Sequence, residues 1–240
     1  MLTPNHHHSW LLLPLSLLLI VTIPTTCDAY NFSVTNKAPV TTIGGLRYAI
    51  EIGERYSKIV MAHSASTVLH VLGVHDGGKP VKDISLTIEE DLGQGRWAYV
   101  SDISNIHISG SYIGSYKGKD VKKEFAGLIY HCMTLVLQWN GNGQAPAWLL
   151  TGIADFVRVR AHYPGDNWVN FGKGDKWDQG YDVTTGFLIY CELQHRRFVA
   201  KLNKKMKYGY NDGLFQELTG KSIAQLWSDY KSTYGNFSGQ

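Results

Sequence analysis

Residues 120–139 read Asp-Val-Lys-Lys-Glu-Phe-Ala-Gly-Leu-Ile-Tyr-His-Cys-Met-Thr-Leu-Val-Leu-Gln-Trp, and this run decides the fold. Val121, Phe125, Leu128, Ile129, Cys132, Leu135, Val136 and Trp139 recur at three- and four-residue spacing, which predicts a long helix with one apolar stripe. Asp120 is suited to cap its first turn, and Asn140-Gly141-Asn142-Gly143 supplies residues tolerant of positive φ where it ends. Cys132 falls near the centre of the stripe and Leu135 toward one margin. His131 lies farther out, on the side of Gln138.

On the N-terminal side, a polar lead through Asn36, Lys37 and Pro39 precedes Gly44-Gly45 and a helical segment from about Glu51 to Leu72. Short β-branched or alternating runs follow at Ile84 to Ile88, Trp97 to Val100 and Ile106 to Ser109, separated by Gly and Asp turns. Gly110, Gly114 and Gly118 read as a loop. On the C-terminal side, Pro146 opens a second helix that runs to about His162, before Pro164-Gly165. A loop rich in Gly, Trp and Asp extends to Gly180. From Asp182 to about Tyr234 the chain reads as three or four helices, broken at Tyr208 to Gly213 and at Thr219-Gly220. This order predicts an α+β fold: an N-terminal helix and small mixed sheet, then the long helix and a helical C-terminal lobe.

The chain of 240 residues opens with an apolar run, Trp10 to Ile23, followed by the small-residue stretch Cys27-Asp28-Ala29. Residues 1–29 are expected to be a secretory signal peptide, leaving residues 30–240 as one domain. No later run approaches the length of a membrane helix, so the expected location is extracellular, in the apoplast or cell wall, with no membrane attachment after cleavage. The formal charge of +3 becomes +4 when the 20 acids lose Asp28 and the 23 bases lose none. The bases are scattered, so nucleic acid is not an expected partner. Removal of Cys27 leaves Cys132 and Cys191, enough for at most one disulfide, and their pairing stays open. Asn31 and Asn236 begin Asn-x-Ser sequons and are candidate glycan acceptors.

His131-Cys132-Met133-Thr134-Leu135 has the length and helical setting of the zinc-peptidase motif His-Glu-x-x-His. In that motif two imidazoles one turn apart grip the metal and the Glu activates water. Here Cys132 stands at the Glu position and Leu135 at the second His. Leu135 has no lone pair, and a zinc site needs at least three protein ligands. Cys132 is rotated about 100° from His131 around the helix and is a poor substitute for a carboxylate base.

Three runs carry a resemblance that spans the expected mature chain: Asp120 to Phe125, Gln138-Trp139-Asn140-Gly141-Asn142-Gly143-Gln144-Ala145-Pro146, and Gly152-Ile153-Ala154-Asp155-Phe156-Val157-Arg158. Trp177 to Thr184, Leu202 to Met206 and Leu226 to Lys231 extend it. The chain resembles the plant basic secretory proteins, of the peptidase family of plants and bacteria. The resemblance implies a zinc-peptidase-like, gluzincin-type fold and zinc as the family's cofactor. It maps His131 to a retained ligand, Cys132 to the lost base, Leu135 to the lost second His, Thr151 to a lost Glu ligand, and Asp155 to a retained carboxylate that orients a ligand His. His107, Tyr181, Asp182 and Tyr210 resemble surroundings of the site, without an assigned role.

The leading expectation is therefore a secreted, catalytically inactive relative, without bound zinc, that binds a protein or peptide partner in plant extracellular defence. His131 is expected to be hydrogen-bonded to Asp155. The alternatives are an active zinc peptidase using His131 and Asp155 with His107, His162 or His195, and a cell-wall or glycan-binding protein using the aromatic loop from Trp168 to Trp177.

Overall fold

The computed structural model describes residues 30–75 and 78–235. The expected signal segment and the sequon at Asn236 lie outside them. Four strands form one mixed sheet: β1 (Asn31–Asn36), β2 (Asp83–Glu89), β3 (Ala98–Ser101) and β4 (Asn105–Ser109), in the order β1-β2-β4-β3. β1 and β4 run parallel to β2, and β3 pairs antiparallel with β4. In β2 the residues Ile84, Leu86 and Ile88 alternate inward and are fully buried, as period-two patterning requires.

The first helical segment is α1 (Ile43–Arg47), continued by a π-turn over Tyr48–Ile52 into α2 (Gly53–Val71). After β4 come α3 (Gly110–Ser115), α4 (Val121–Leu137) and α5 (Ala147–Arg160). The C-terminal lobe holds α6 (Tyr181–Gln194), α7 (Phe198–Met206), α8 (Gly213–Thr219) and α9 (Ile223–Tyr234). The architecture is α+β with a small mixed sheet, as the element order predicts.

Three stretches differ from the sequence reading. The helical segment expected from about Glu51 begins at Ile43, with α1 and the π-turn ahead of α2. The polar lead contains β1, whose Asn31 to Asn36 ladder is set by parallel pairing with β2 and whose side chains are exposed or half-buried. The glycine-marked loop contains α3, where glycine serves close packing: a Cβ on Gly114 would meet the backbone nitrogen of Gly44 at 2.9 Å.

α4 is the central helix. Asp120 caps it, accepting from the Lys123 backbone N–H at 3.0 Å, which satisfies one of the first-turn donors. Its burial is broader than a single stripe, because α2, α5 and the sheet pack around it. Ala126, Ile129, Met133 and Val136 are all 0% exposed, and Cys132 sits among them, while His131 and Leu135 share the half-buried face. Leu135 therefore gains only part of the ~1.5–3 kcal/mol that full burial of a leucine supplies.

α5 runs antiparallel to α4, and side-chain bonds fix the register. Arg158 Nη2 donates to Glu124 Oε2 at 2.7 Å, His131 Nδ1 meets Asp155 Oδ1 at 2.6 Å, and Gln138 Nε2 donates to the Leu150 carbonyl at 3.0 Å. Successive pairings advance along one helix and retreat along the other. By this register Leu135, one turn after His131, lies opposite Thr151, one turn before Asp155.

Candidate active-site cleft

A cleft of ≈ 570 Å³ opens over the N-terminal two-thirds of α4. Glu124, Leu128 and His131 of α4 and Asp155 and Arg158 of α5 line it. Gln94 to Ala98 at the start of β3, Tyr112 and Tyr116, the segment Gly165 to Trp168, and Tyr181 with Asp182 complete its walls. Cys132, Leu135 and Thr151 do not line it.

The deepest part is a buried ionic network. Glu124 and Arg158 are 7% and 5% exposed. Glu124 also accepts from the Tyr112 hydroxyl at 2.9 Å, and Arg158 Nε donates to the Tyr163 carbonyl at 2.6 Å. Such bonds are what make a buried charge pair tolerable. Gly127 gives the guanidinium room, since a Cβ there would meet Arg158 Nε at 2.5 Å. Burial and the neighbouring Glu124 carboxylate push the Tyr112 hydroxyl well above its ordinary range.

His131 is bonded to Asp155, as the resemblance implies. A carboxylate only accepts, so Nδ1 is the donor and Nε2 is the ring nitrogen without a hydrogen-bond partner among the described residues. Tyr181 stands over the imidazole with rings 6.2 Å apart and 15° from parallel. Its φ of 45° is a conformation that costs an aromatic residue about 1–2 kcal/mol. Strain of this kind clusters at functional sites.

Of the remaining candidates, Asp182 and Trp168 stay on the cleft and the rest lie outside its lining. Thr151 Oγ1 donates back into its own helix, at 3.0 Å from the Ala147 carbonyl and 3.2 Å from that of Trp148, and accepts from the Tyr181 N–H at 3.4 Å. His107 on β4 uses both ring nitrogens, toward Glu89 at 2.5 Å and Ser101 at 2.9 Å, and stacks on Tyr99. Tyr210 donates to Asp212, and Asp182 accepts from the Val169 N–H. The aromatic loop divides: Trp168 faces the cleft, whereas Trp177 packs against the core. Asn31 is exposed and its side-chain amide donates to Asp83.

Cys132 and Cys191 are both free and buried. Burial, with Asp155 nearby, pushes the Cys132 thiol up to about 12, and burial raises Cys191 as well. A thiol held protonated is neither nucleophile nor metal ligand at neutral pH. Both cysteines are expected to escape alkylation in the native protein and to react fully in guanidinium, as mapped by peptide mass spectrometry. Native-state modification of Cys132 would contradict this packing.

The zinc implied by the resemblance does not fit the donors present. Among the described residues no three of His, Cys, Asp and Glu are grouped to hold a metal ion. His107, His162 and His195 do not join His131 and Asp155. The position opposite Thr151 carries a hydrocarbon side chain.

The model of the family described as peptidase of plants and bacteria matches residues 28–230. The chain belongs to that family. A basic secretory protease of Boswellia serrata is 40% identical over 60 residues, which are 25% of this chain and 69% of the relative. No solved structure matches. No helix of the described residues is long and apolar enough to cross a membrane.

Sequence reasoning missed Glu124 and Arg158 as site residues, although one signal was available. Glu124 shares the helical phase of Val121 and Leu128, so a carboxylate interrupts the apolar stripe and calls for a buried cation.

Proposed function

We propose that this family member is exported and binds a protein or peptide segment in the extracellular space without cleaving it, in the defence setting that the family resemblance implies. The fold is read as zinc-peptidase-like. The observation that carries the proposal is the facing pair Leu135 and Thr151, one an apolar side chain and the other a hydroxyl bonded into its own helix. A single imidazole, His131, is left at the place where three ligands would be needed. Cys132 is too deeply buried, and too firmly protonated, to activate water.

The edge of the sheet supports the choice of a peptide. The Ser109 N–H donates to the Trp97 carbonyl, so antiparallel alternation turns the backbone groups of Tyr99 and Ser101 toward β4 and those of Ala98 and Val100 toward the open edge. An extended segment can add to that edge as a further strand while its side chains enter the cleft.

Elemental analysis of the purified chain, after exposure to trace zinc and dialysis, is expected to find far less than one zinc per molecule. Stoichiometric zinc that disappears in His131→Ala would overturn the proposal in favour of an active site with other ligands.

A further inference from the structure

We infer that the cleft selects a segment carrying a lysine or arginine side chain; the inference rests on the peptide-binding reading above. Four carboxylates line the cleft, Glu124, Asp155, Asp166 and Asp182, against two guanidinium groups, Arg96 and Arg158. The whole chain has the opposite sign, at +3, so the cleft is an acidic recess in a basic protein.

The charges are also distributed by depth. At the base Arg158 is spent on Glu124, and His131 is bonded to Asp155. At the mouth neither Asp166 nor Asp182 forms an ion pair among the described residues, and Asp182 has both oxygens occupied, by the Val169 N–H at 2.8 Å and the Val183 N–H at 2.9 Å. Asp166 is exposed and receives one bond, from the Tyr116 hydroxyl at 2.5 Å, through Oδ2; Oδ1 is open. Arg96 does not neutralise it, because its guanidinium donates to Gln94 at 2.7 Å and lies over the Tyr99 ring.

Aromatic faces supply the second half of the recognition. Trp97 is 56% exposed and stacks one face on Tyr112 at 4.6 Å, leaving the other toward solvent. Tyr181 is 58% exposed, with one face on His131. Open aromatic faces in the same cleft as the open oxygen of Asp166 suit a side chain that couples a long aliphatic stem to a cationic head. A neutral apolar side chain would use the rings and leave Asp166 unanswered. An acidic one would be repelled.

The test uses the mature chain and four blocked nonapeptides of alanine and serine that differ only at the centre: lysine, arginine, norleucine or glutamate. Titration followed by tryptophan fluorescence is expected to show lysine and arginine binding about tenfold more tightly than norleucine, the sum of one cation–π contact and one open charge pair. Glutamate should bind more weakly still. Asp166→Asn and Trp97→Ala, both at exposed positions and checked for unchanged melting, should each cut the lysine preference to about threefold. Equal affinity for lysine and norleucine, or a preference untouched by both variants, would overturn the inference and leave peptide binding standing. If none of the four peptides binds, peptide binding and the inference fall together.

Discussion

The variant Cys132→Glu/Leu135→His/Thr151→Glu is expected to bind one zinc ion per chain, and the parent far less than one. The register makes this a specific expectation, because 135 and 151 face each other one helical turn beyond the His131–Asp155 bond. Imidazole at 135 and carboxylate at 151 would join His131 in a three-ligand set with one position left open, as a catalytic zinc requires. Stability should become metal-dependent. Position 132 is 1% exposed, and a carboxylate there costs several kcal/mol unless it is compensated. Binding at a thousandfold excess over Kd returns about 4 kcal/mol. The melting temperature should therefore fall in chelator and recover with zinc. Leu135→His/Thr151→Glu, which keeps the buried cysteine, isolates ligation from the cost at 132. If that variant folds and takes up no zinc, the assignment of 151 as the third ligand is wrong.

Glu124→Ala is expected to cost about 3–5 kcal/mol, the penalty for stranding a buried charge. Arg158 would keep only its bond to the Tyr163 carbonyl and its position over the Trp168 ring, and Tyr112 would lose its acceptor. Urea denaturation followed by far-UV circular dichroism would measure the loss. Removing both charges in Glu124→Leu/Arg158→Met should be much milder, since a well-packed apolar pair commonly equals or exceeds a buried ion pair. A double variant as unstable as Glu124→Ala would mean that the cost lies in packing around the helices rather than in the unpaired charge.

The sequence was most legible where local chemistry and burial agree. Asp120 announces the start of α4, and Pro146 stands just before α5. The inward alternation of Ile84, Leu86 and Ile88 marks β2. β1 was less visible because its residues are half polar and its conformation comes from pairing with β2, more than forty residues away in the chain. α3 was hidden because Gly110 and Gly114, ordinarily helix breakers, are used for contact with α1. The π-turn at Tyr48–Ile52 left no periodic mark at all.

At the site, the His131–Asp155 bond followed from the family resemblance, but the Glu124–Arg158 pair needed the helix register, which no single segment contains. The stripe reading underestimated how completely α4 is enclosed. Period-3.6 patterning finds the most apolar side of a helix; it does not report how many neighbours surround it.

The three bonds between α4 and α5 behave as rungs of a ladder. Glu124–Arg158 holds one end, Gln138–Leu150 the other, and His131–Asp155 the middle. The step between His131–Asp155 and Gln138–Leu150, where Leu135 faces Thr151, carries no rung. That gap can accept a ligand pair or an inert one without the helices parting, so chemistry there is free to be lost or regained while the scaffold stays in place.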